Sequence, residues 1–151
     1  MDVNEAGVAL VKKFEGFSAK AYLCPAGKPT IGYGATFYAD GKPVTLKDKP
    51  ITDAEAVKLL QALLAQFAAK LKPLIKVDLN DNQFSALVSF AYNVGIGNFQ
   101  SSTLLKHVNA GKFDQAANEF LKWSKARVNG VLQPLPGLVK RRVAERGLFV
   151  K

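Results

Sequence analysis

Three residues near the start of the chain have side chains that could carry out acid–base chemistry. Eight residues separate Glu15 from Cys24, and five separate Cys24 from Thr30. A carboxylic acid can protonate a departing oxygen, while a polar group opposite it holds or activates a water or attacks directly. Glycines and prolines are frequent from 14 to 36, and they bend the backbone into turns that admit a ligand. We therefore expect a catalytic site built on turns.

The residues before Glu15 determine the environment of its carboxyl group. Val11 and Phe14 belong to an apolar helical pattern that ends at Glu15. Partial burial there would disfavour the charged carboxylate, so we expect the acid to keep its proton at neutral pH. The structural alternative is that Glu15 caps a helix end or forms a salt bridge there, and that Cys24 is a small buried apolar residue.

The spacing of these residues resembles the catalytic signature of the phage-type lysozymes, the endolysins of glycoside hydrolase family 24. The family usually has aspartate at the position of Cys24. Two later segments, FAYNVGIGNFQSSTLLKHVNAG and GLVKRRVAERGLF, resemble the central helix-turn-helix stretch and the C-terminal helix of that family. The three segments occur in the family's order and at its spacing, so the resemblance covers most of the chain.

The resemblance implies an α+β, mainly α-helical lysozyme-like fold. We expect one catalytic domain over 1–151, with a small β-lobe at about 15–50 and a connecting helix at about 52–72. The larger helical lobe would span about 73–151 and include an N-terminal helix at 4–14. The active-site cleft would lie between the lobes.

The resemblance also implies a reaction, hydrolysis of the β-1,4 bond between N-acetylmuramic acid and N-acetylglucosamine in bacterial peptidoglycan, which lyses the host cell. Glu15 would be the general acid, Cys24 would lie opposite it, and Thr30 would help to place a water. A neutral thiol is a poor base. The sequence leaves open whether Cys24 is a nucleophile, a base or a water-positioning group, and whether the reaction retains or inverts configuration.

Further residues are expected to contact the substrate or to support the acid. The four substrate-binding candidates are Tyr33, Tyr92, Asn93 and Ser102. Three of them have a structural alternative. Tyr92 could lie at the edge of the core, Asn93 could end a helix, and Ser102 could be a helix N-cap. The supporting candidate is Arg141, which would reach Glu15. Alternatively, Arg141 pairs with Glu145 at i, i+4 on a basic, solvated helix face.

Composition restricts the partners. The chain has 151 residues and a net charge of +9, which suits an anionic wall, membrane or nucleic acid without choosing between them. No basic recognition helix with base-reading residues is visible, so we expect no nucleic-acid partner. One cysteine excludes an internal disulfide, and one histidine excludes a zinc amidase site. We expect no cofactor and no metal.

The N-terminus lacks the pattern of a signal peptide, and no stretch is long and apolar enough to span a membrane. We therefore expect no stable membrane insertion. We also expect a monomer, although nothing in the sequence determines the oligomeric state. It would stay in the host cytoplasm until release to the cell wall or periplasm, and it would depend on a separate holin to reach the wall.

Local patterns predict the elements of the N-terminal half. KAYLC and PTIGYG favour a hairpin, and PVTL indicates a possible third strand. Capping boxes are predicted at two helix starts, Thr52 with Glu55 and Asn80 with Gln83.

In the C-terminal half, the pattern predicts a turn at 95–98, an amphipathic helix at 113–125 with Leu121 among its buried residues, and a loop at 128–136.

Two other functions fit parts of the sequence. A lytic transglycosylase needs one acid and no water-activating partner, and it would leave anhydro-muramic ends. A basic, non-enzymatic protein could kill by permeabilising membranes, in which case the activity would survive the substitution Glu15→Gln.

Overall fold

A computed structural model describes the whole chain, Met1–Lys151, as mainly helical with two small antiparallel sheets. The predicted α+β, mainly helical class is confirmed. The helices are α1 (Glu5–Glu15), α2 (Asp53–Leu71), α3 (Asp81–Val94), α4 (Ile96–Gln100), α5 (Thr103–Asn109), α6 (Phe113–Glu119) and α7 (Pro136–Phe149). The strands are β1 (Ser18–Leu23), β2 (Pro29–Gly32), β3 (Lys125–Val128) and β4 (Val131–Pro134).

The chain divides into two compact units. The β-unit consists of 11–66, and the helical unit consists of 1–10 together with 67–151. The boundaries fall inside α1 and α2. None of the helices combines the length and apolar character that a membrane span requires.

The β-unit is built on the hairpin of β1 and β2, which confirms the predicted pair of strands. Tyr22 lies directly opposite Thr30, and a register shift between Ser18 and Tyr22 marks a bulge. The connecting loop is closed by a 2.8 Å hydrogen bond from the Gly27 N–H to the Cys24 carbonyl. The expected third strand at PVTL is wrong, because that segment forms only an isolated bridge between Phe37 and Pro43.

Helix α2 begins at the predicted capping box. The Glu55 N–H donates to the Thr52 hydroxyl at 3.1 Å, and the Thr52 N–H donates to the Glu55 carboxylate at 3.0 Å. The hairpin approaches this helix closely at Gly32, where an added Cβ would lie 3.2 Å from the Ala56 Cβ. Buried apolar side chains fill the β-unit, among them Val11, Ile31, Val44, Leu60 and Leu63.

Helix α3 is the centre of the helical unit. Asn80 and Gln83 form the second predicted capping box, and every residue from 84 to 91 is buried. Phe90 makes edge-on contacts with the aromatic rings of Phe120 and Trp123, at centroid distances of 5.6 and 5.4 Å. Such ring pairs add to the stabilisation that apolar burial provides.

Three elements of the C-terminal half differ from the prediction. The expected turn at 95–98 is mostly the short helix α4, and the helix expected over 113–125 ends at Glu119. Leu121 follows in a 3₁₀ turn and is 41% exposed rather than buried. The loop expected at 128–136 instead includes the turn and second strand of the hairpin β3–β4, whose turn residues Asn129 and Gly130 both have positive φ. In a sequence, an Asn-Gly pair is among the strongest local indications of a tight β-hairpin turn.

Helix α7 contains a further correction. The sequence suggested a basic, solvated face, but Arg141, Arg142 and Glu145 are 3%, 1% and 0% exposed. Their charges are paired with each other, which is the condition under which charged side chains are buried.

Candidate active site

Glu15 is the last residue of α1, and its position is fixed by two glycines. Gly16 ends the helix in a left-handed conformation, with φ +70° and a 3.0 Å hydrogen bond from its N–H to the Lys12 carbonyl. Gly34 has φ +75°, and a Cβ added there would lie 2.7 Å from the Glu15 carboxyl carbon. The half-buried carboxyl group therefore packs directly against the Gly34 backbone, a position that only glycine leaves open.

Cys24 and Thr30 lie at the end of the β1–β2 hairpin, where they interact directly. The Thr30 hydroxyl donates a 2.9 Å hydrogen bond to the Lys28 carbonyl oxygen and lies close enough to the Cys24 sulfur to lower the pKa of the thiol. Thr30 is almost fully buried, whereas the cysteine is partly open to solvent. A hydroxyl has one proton, so it can donate to the carbonyl beside a neutral thiol and turn to the sulfur when a thiolate forms.

The surroundings of the sulfur favour its ionised form. Burial alone would raise the pKa of the Cys24 thiol, but hydrogen bonds from the Lys28 backbone and the Thr30 hydroxyl, with smaller backbone contributions, lower the pKa below its ordinary value. A lowered pKa increases the thiolate fraction near neutral pH, and the thiolate is the reactive form of cysteine.

A pocket of about 310 Å³ opens beside Glu15, and its lining comes from the end of α1 and from β1. The lining residues are Glu15, Gly16, Phe17, Ser18 and Tyr22. Burial and then the nearby charges of Glu15 and Cys24 raise the pKa of the Tyr22 hydroxyl. The acid, the phenol and the thiol thus form one cluster, to which Thr30 belongs through its contact with Cys24. We call these four residues the hairpin cluster.

Sequence reasoning placed Tyr22 among the turns but did not include it in the site. The available signal was strand register, because directly opposed residues in an antiparallel pair point to the same face. Pairing of the two predicted strands with Tyr22 opposite Thr30 would have placed the phenol beside the hydroxyl.

Two of the predicted substrate-binding residues are buried. The Tyr33 hydroxyl donates a hydrogen bond to the Asp53 carboxylate, and this bond, with burial and the carboxylate charge, raises the pKa of Tyr33. The Ser102 hydroxyl accepts from the Leu105 N–H at 3.1 Å and donates to the Phe99 carbonyl at 2.6 Å. The N-cap role of Ser102 is confirmed, while substrate contact by either residue stays a prediction that these geometries do not support.

The other two substrate-binding candidates lie at the end of α3. Tyr92 is half-buried, with its ring 5.3 Å from that of Phe67, whereas Asn93 is exposed. The Asn93 side-chain oxygen accepts a hydrogen bond from Arg142, and the NH₂ group of the same side chain retains its donors. Contact of Tyr92 and Asn93 with the substrate stays a prediction.

Arg141 belongs to a second polar cluster, which we call the buried ion cluster: Ser89, Arg141, Arg142 and Glu145. The Glu145 carboxylate accepts from Arg142 at 2.5 Å, from Ser89 at 2.5 Å and from Arg141 at 3.3 Å. Arg141 also donates to the Ser89 carbonyl at 3.1 Å. The i, i+4 pairing of Arg141 with Glu145 is confirmed, and the pairing of Arg141 with Glu15 stays a prediction.

The structure therefore brings the three predicted catalytic residues near one another within a single unit. Glu15 and Cys24 both influence Tyr22, and Cys24 contacts Thr30 directly. Chemically, this arrangement offers a carboxyl group that can transfer a proton, a thiol inclined to ionise and a hydroxyl that can orient a small molecule.

Comparisons with known proteins show the family to which the chain belongs. A model of the phage lysozyme family matches residues 12–145. The endolysin of Acyrthosiphon pisum secondary endosymbiont phage 1 is 46% identical over 149 residues, which cover 99% of this chain and 98% of that protein. The solved endolysin from Escherichia coli O157:H7 phage FAHEc1 has a TM-score of 0.88 at 39% identity and covers 99% of this chain and 94% of its own.

A third similar structure is a muramidase domain, that of SpmX from Asticaccaulis excentricus. It has a TM-score of 0.86 at 36% identity, and the match covers 99% of this chain and 98% of the domain. Matches of this identity extend over nearly the whole length of both chains. The chain belongs to the phage lysozyme family.

Proposed function

We propose that the protein is an endolysin of the glycoside hydrolase family 24 type, which cleaves the β-1,4 bond between N-acetylmuramic acid and N-acetylglucosamine in peptidoglycan. Its activity as a peptidoglycan-hydrolysing glycoside hydrolase follows from the family. The assignment of the bond and of the catalytic residues is our own and comes from the hairpin cluster. The observation that carries it is the Glu15 carboxyl group, half-buried beside a pocket large enough for part of a sugar chain.

Glu15 is the general acid in this mechanism. Its proton passes to the glycosidic oxygen as the bond to the anomeric carbon lengthens and positive charge develops on the sugar ring. Packing of the carboxyl group against Gly34 limits its orientations, so the proton donor is held in place before the substrate arrives.

Cys24 and Thr30 act on the anomeric carbon in the position where the family usually has aspartate. Thr30 holds a water or the thiolate in place through its hydroxyl. Two routes follow from a thiolate at Cys24. It can attack the anomeric carbon to give a covalent thioglycoside that water then hydrolyses, or it can accept a proton from the attacking water. The first route retains configuration at the anomeric carbon, and the second inverts it.

The substitution Glu15→Gln tests the acid. We expect it to reduce the rate of peptidoglycan hydrolysis by about 10²–10⁴-fold, because the amide cannot supply the proton and general acid catalysis is typically worth that factor. The melting temperature should change little, since the shape of the side chain is preserved. Glu5→Gln is the matched control: it changes an exposed acid in the first turn of the same helix and should leave the rate unchanged.

Product analysis separates the mechanism from its alternatives. Hydrolysis leaves reducing ends on the glycan, whereas a lytic transglycosylase leaves anhydro-muramic ends. Anhydro products would overturn the assignment of Cys24 and Thr30 as water-handling groups. Lysis by Glu15→Gln at the wild-type level would instead indicate a non-enzymatic, membrane-directed activity.

The remaining expectations about partners are proposals of the same kind. We propose that the protein acts as a monomer on an anionic wall, with its +9 charge assisting the approach at low salt. Retention in the host cytoplasm, and release to the wall through a separate holin, likewise stay predictions.

A further inference from the structure

We propose that Tyr22 is an additional catalytic residue, whose hydroxyl donates a hydrogen bond to an oxygen of the sugar at the scissile bond. This inference deepens the proposed function and rests on it. It goes beyond the signature residues Glu15, Cys24 and Thr30, because it assigns a fourth group that contacts the reacting part of the substrate.

The position of Tyr22 is set by the backbone of the hairpin. It lies on β1 directly opposite Thr30, so the phenol and the threonine share one face of the strand pair. The same side chain lines the pocket beside Glu15 and is 38% exposed. A substrate in this pocket that reaches both the acid and the thiol would meet the phenol.

The hydroxyl of Tyr22 has unused hydrogen-bonding capacity. It makes no hydrogen bond within the protein. Two other tyrosines of the β-unit differ in this respect: the Tyr33 hydroxyl donates to Asp53, and the Tyr38 hydroxyl donates to Asp48 at 2.6 Å. Because no internal partner occupies the Tyr22 hydroxyl and the residue is exposed at the pocket, its donor is available to a ligand.

The neighbouring groups keep this phenol protonated. Burial and the charges of Glu15 and Cys24 each raise the pKa of Tyr22, so the O–H group remains a donor throughout the neutral range. A neutral donor suits the site, since it can bind a sugar hydroxyl, acetamido or ring oxygen without taking the proton that Glu15 must deliver.

The substitution Tyr22→Phe tests the proposal, because it removes the hydroxyl and keeps the ring. On purified peptidoglycan we expect kcat/KM to fall by about tenfold, the usual scale for one hydrogen bond to a reacting group. The melting temperature should not change, since no hydrogen bond within the protein is lost. Tyr38→Phe is the matched control: it loses an internal bond, so its melting temperature should fall while kcat and KM remain those of the wild type.

Binding of a soluble peptidoglycan fragment by calorimetry completes the test. The comparison uses Glu15→Gln with and without Tyr22→Phe, so that the ligand is not cleaved. If the double variant binds the fragment more weakly than Glu15→Gln alone, the Tyr22 hydroxyl contacts the substrate already in the ground state. If the two bind equally and Tyr22→Phe has a reduced kcat, the contact forms in the transition state. Wild-type kcat and KM in Tyr22→Phe would overturn the proposal, as would a loss explained by a lower melting temperature. A wild-type protein inactive on peptidoglycan would overturn the proposed function itself.

Discussion

The two polar clusters of this protein both contain a carboxyl group and at least one hydroxyl group, but the carboxyl group is buried and paired in one cluster and accessible to a ligand in the other. The buried ion cluster of the helical unit has a carboxylate with 0% exposure that accepts hydrogen bonds from two arginines and a serine. The hairpin cluster of the β-unit has a half-buried carboxyl group, an exposed phenol and a partly open thiol around a pocket. The first cluster is enclosed within its unit, and the second is open to a ligand.

This difference is the reason for proposing Glu15, rather than Glu145, as the catalytic acid. Charged groups inside a protein are tolerated when they are paired, and the removal of one partner leaves an uncompensated charge. Glu145 meets that condition and therefore has a structural role. Glu15 lies beside a pocket, against a glycine that leaves room for it, so a substrate can reach it. We therefore expect substitutions in the buried ion cluster to reduce stability and substitutions in the hairpin cluster to reduce activity.

The largest expected effect on stability comes from Glu145→Gln. The substitution leaves Arg141 and Arg142 buried without their shared counter-charge, so we expect a loss of about 3–5 kcal/mol in the free energy of unfolding. For a chain of this length the melting temperature should fall by roughly 6–20 °C. Circular dichroism during heating measures it.

Asp114→Asn provides the control for Glu145→Gln. It removes an exposed acid from the first turn of α6 in the same unit and should cost no more than about 1 kcal/mol. The contrast between the clusters fails if Glu145→Gln keeps the wild-type melting temperature and instead reduces kcat by several orders of magnitude. Glu145 would then have a role in catalysis rather than in stability.

Cys24 tests the other cluster through pH. Since hydrogen bonds lower the pKa of the Cys24 thiol, the thiolate forms as pH rises through a value below the ordinary one, and activity that depends on it should rise over the same range. Cys24→Ser should lose this rise and about 10²-fold in rate, the lower end for acid–base catalysis. Cys24→Asp should keep its activity to lower pH, because aspartate ionises near 3.9.

The pH dependence of alkylation by iodoacetamide gives the thiol pKa independently of catalysis. Agreement between the alkylation curve and the rate curve would link the two. If the serine and aspartate variants both have wild-type rates at every pH, Cys24 only fills space, and the hairpin cluster is reduced to its acid and hydroxyls.

The two clusters also differ in how far the sequence predicts them. The hairpin cluster follows from short-range patterns: a helix that ends at Glu15, two strands with turn residues between them, and register. The capping boxes that start α2 and α3 are likewise local, because each needs residues only three positions apart. Local signals of this kind need no knowledge of the tertiary structure.

The buried ion cluster could be predicted only in part. The i, i+4 spacing of Arg141 and Glu145 indicates an ion pair but not its burial, because another member of the cluster, Ser89, is 56 residues from Glu145 in sequence. The burial of α7 depends on its packing against α3, which no local pattern specifies. The β3–β4 hairpin is a different kind of error, because its Asn129–Gly130 turn is a local hairpin signal that the prediction of a loop did not use.

The smaller of the two expected losses of stability concerns the glycine against which Glu15 packs. Gly34→Ala adds a methyl group at φ +75°, and we expect the left-handed backbone alone to cost about 1–2 kcal/mol of stability. The methyl carbon would also lie 2.7 Å from the Glu15 carboxyl carbon, so the acid must move. A displacement of about 1 Å at a catalytic group can cost about 10²-fold in rate.

Gly41→Ala separates the two contributions. Gly41 has φ +88° in the same unit, but an added Cβ would have no atom within 4 Å. It should therefore have the same backbone strain and a similar drop in melting temperature, with the wild-type rate on peptidoglycan. A selective loss of rate in Gly34→Ala would mean that the close approach of this glycine holds the acid in its working position. Equal rates in the two variants would mean that Glu15 tolerates displacement, which a preorganised proton donor should not.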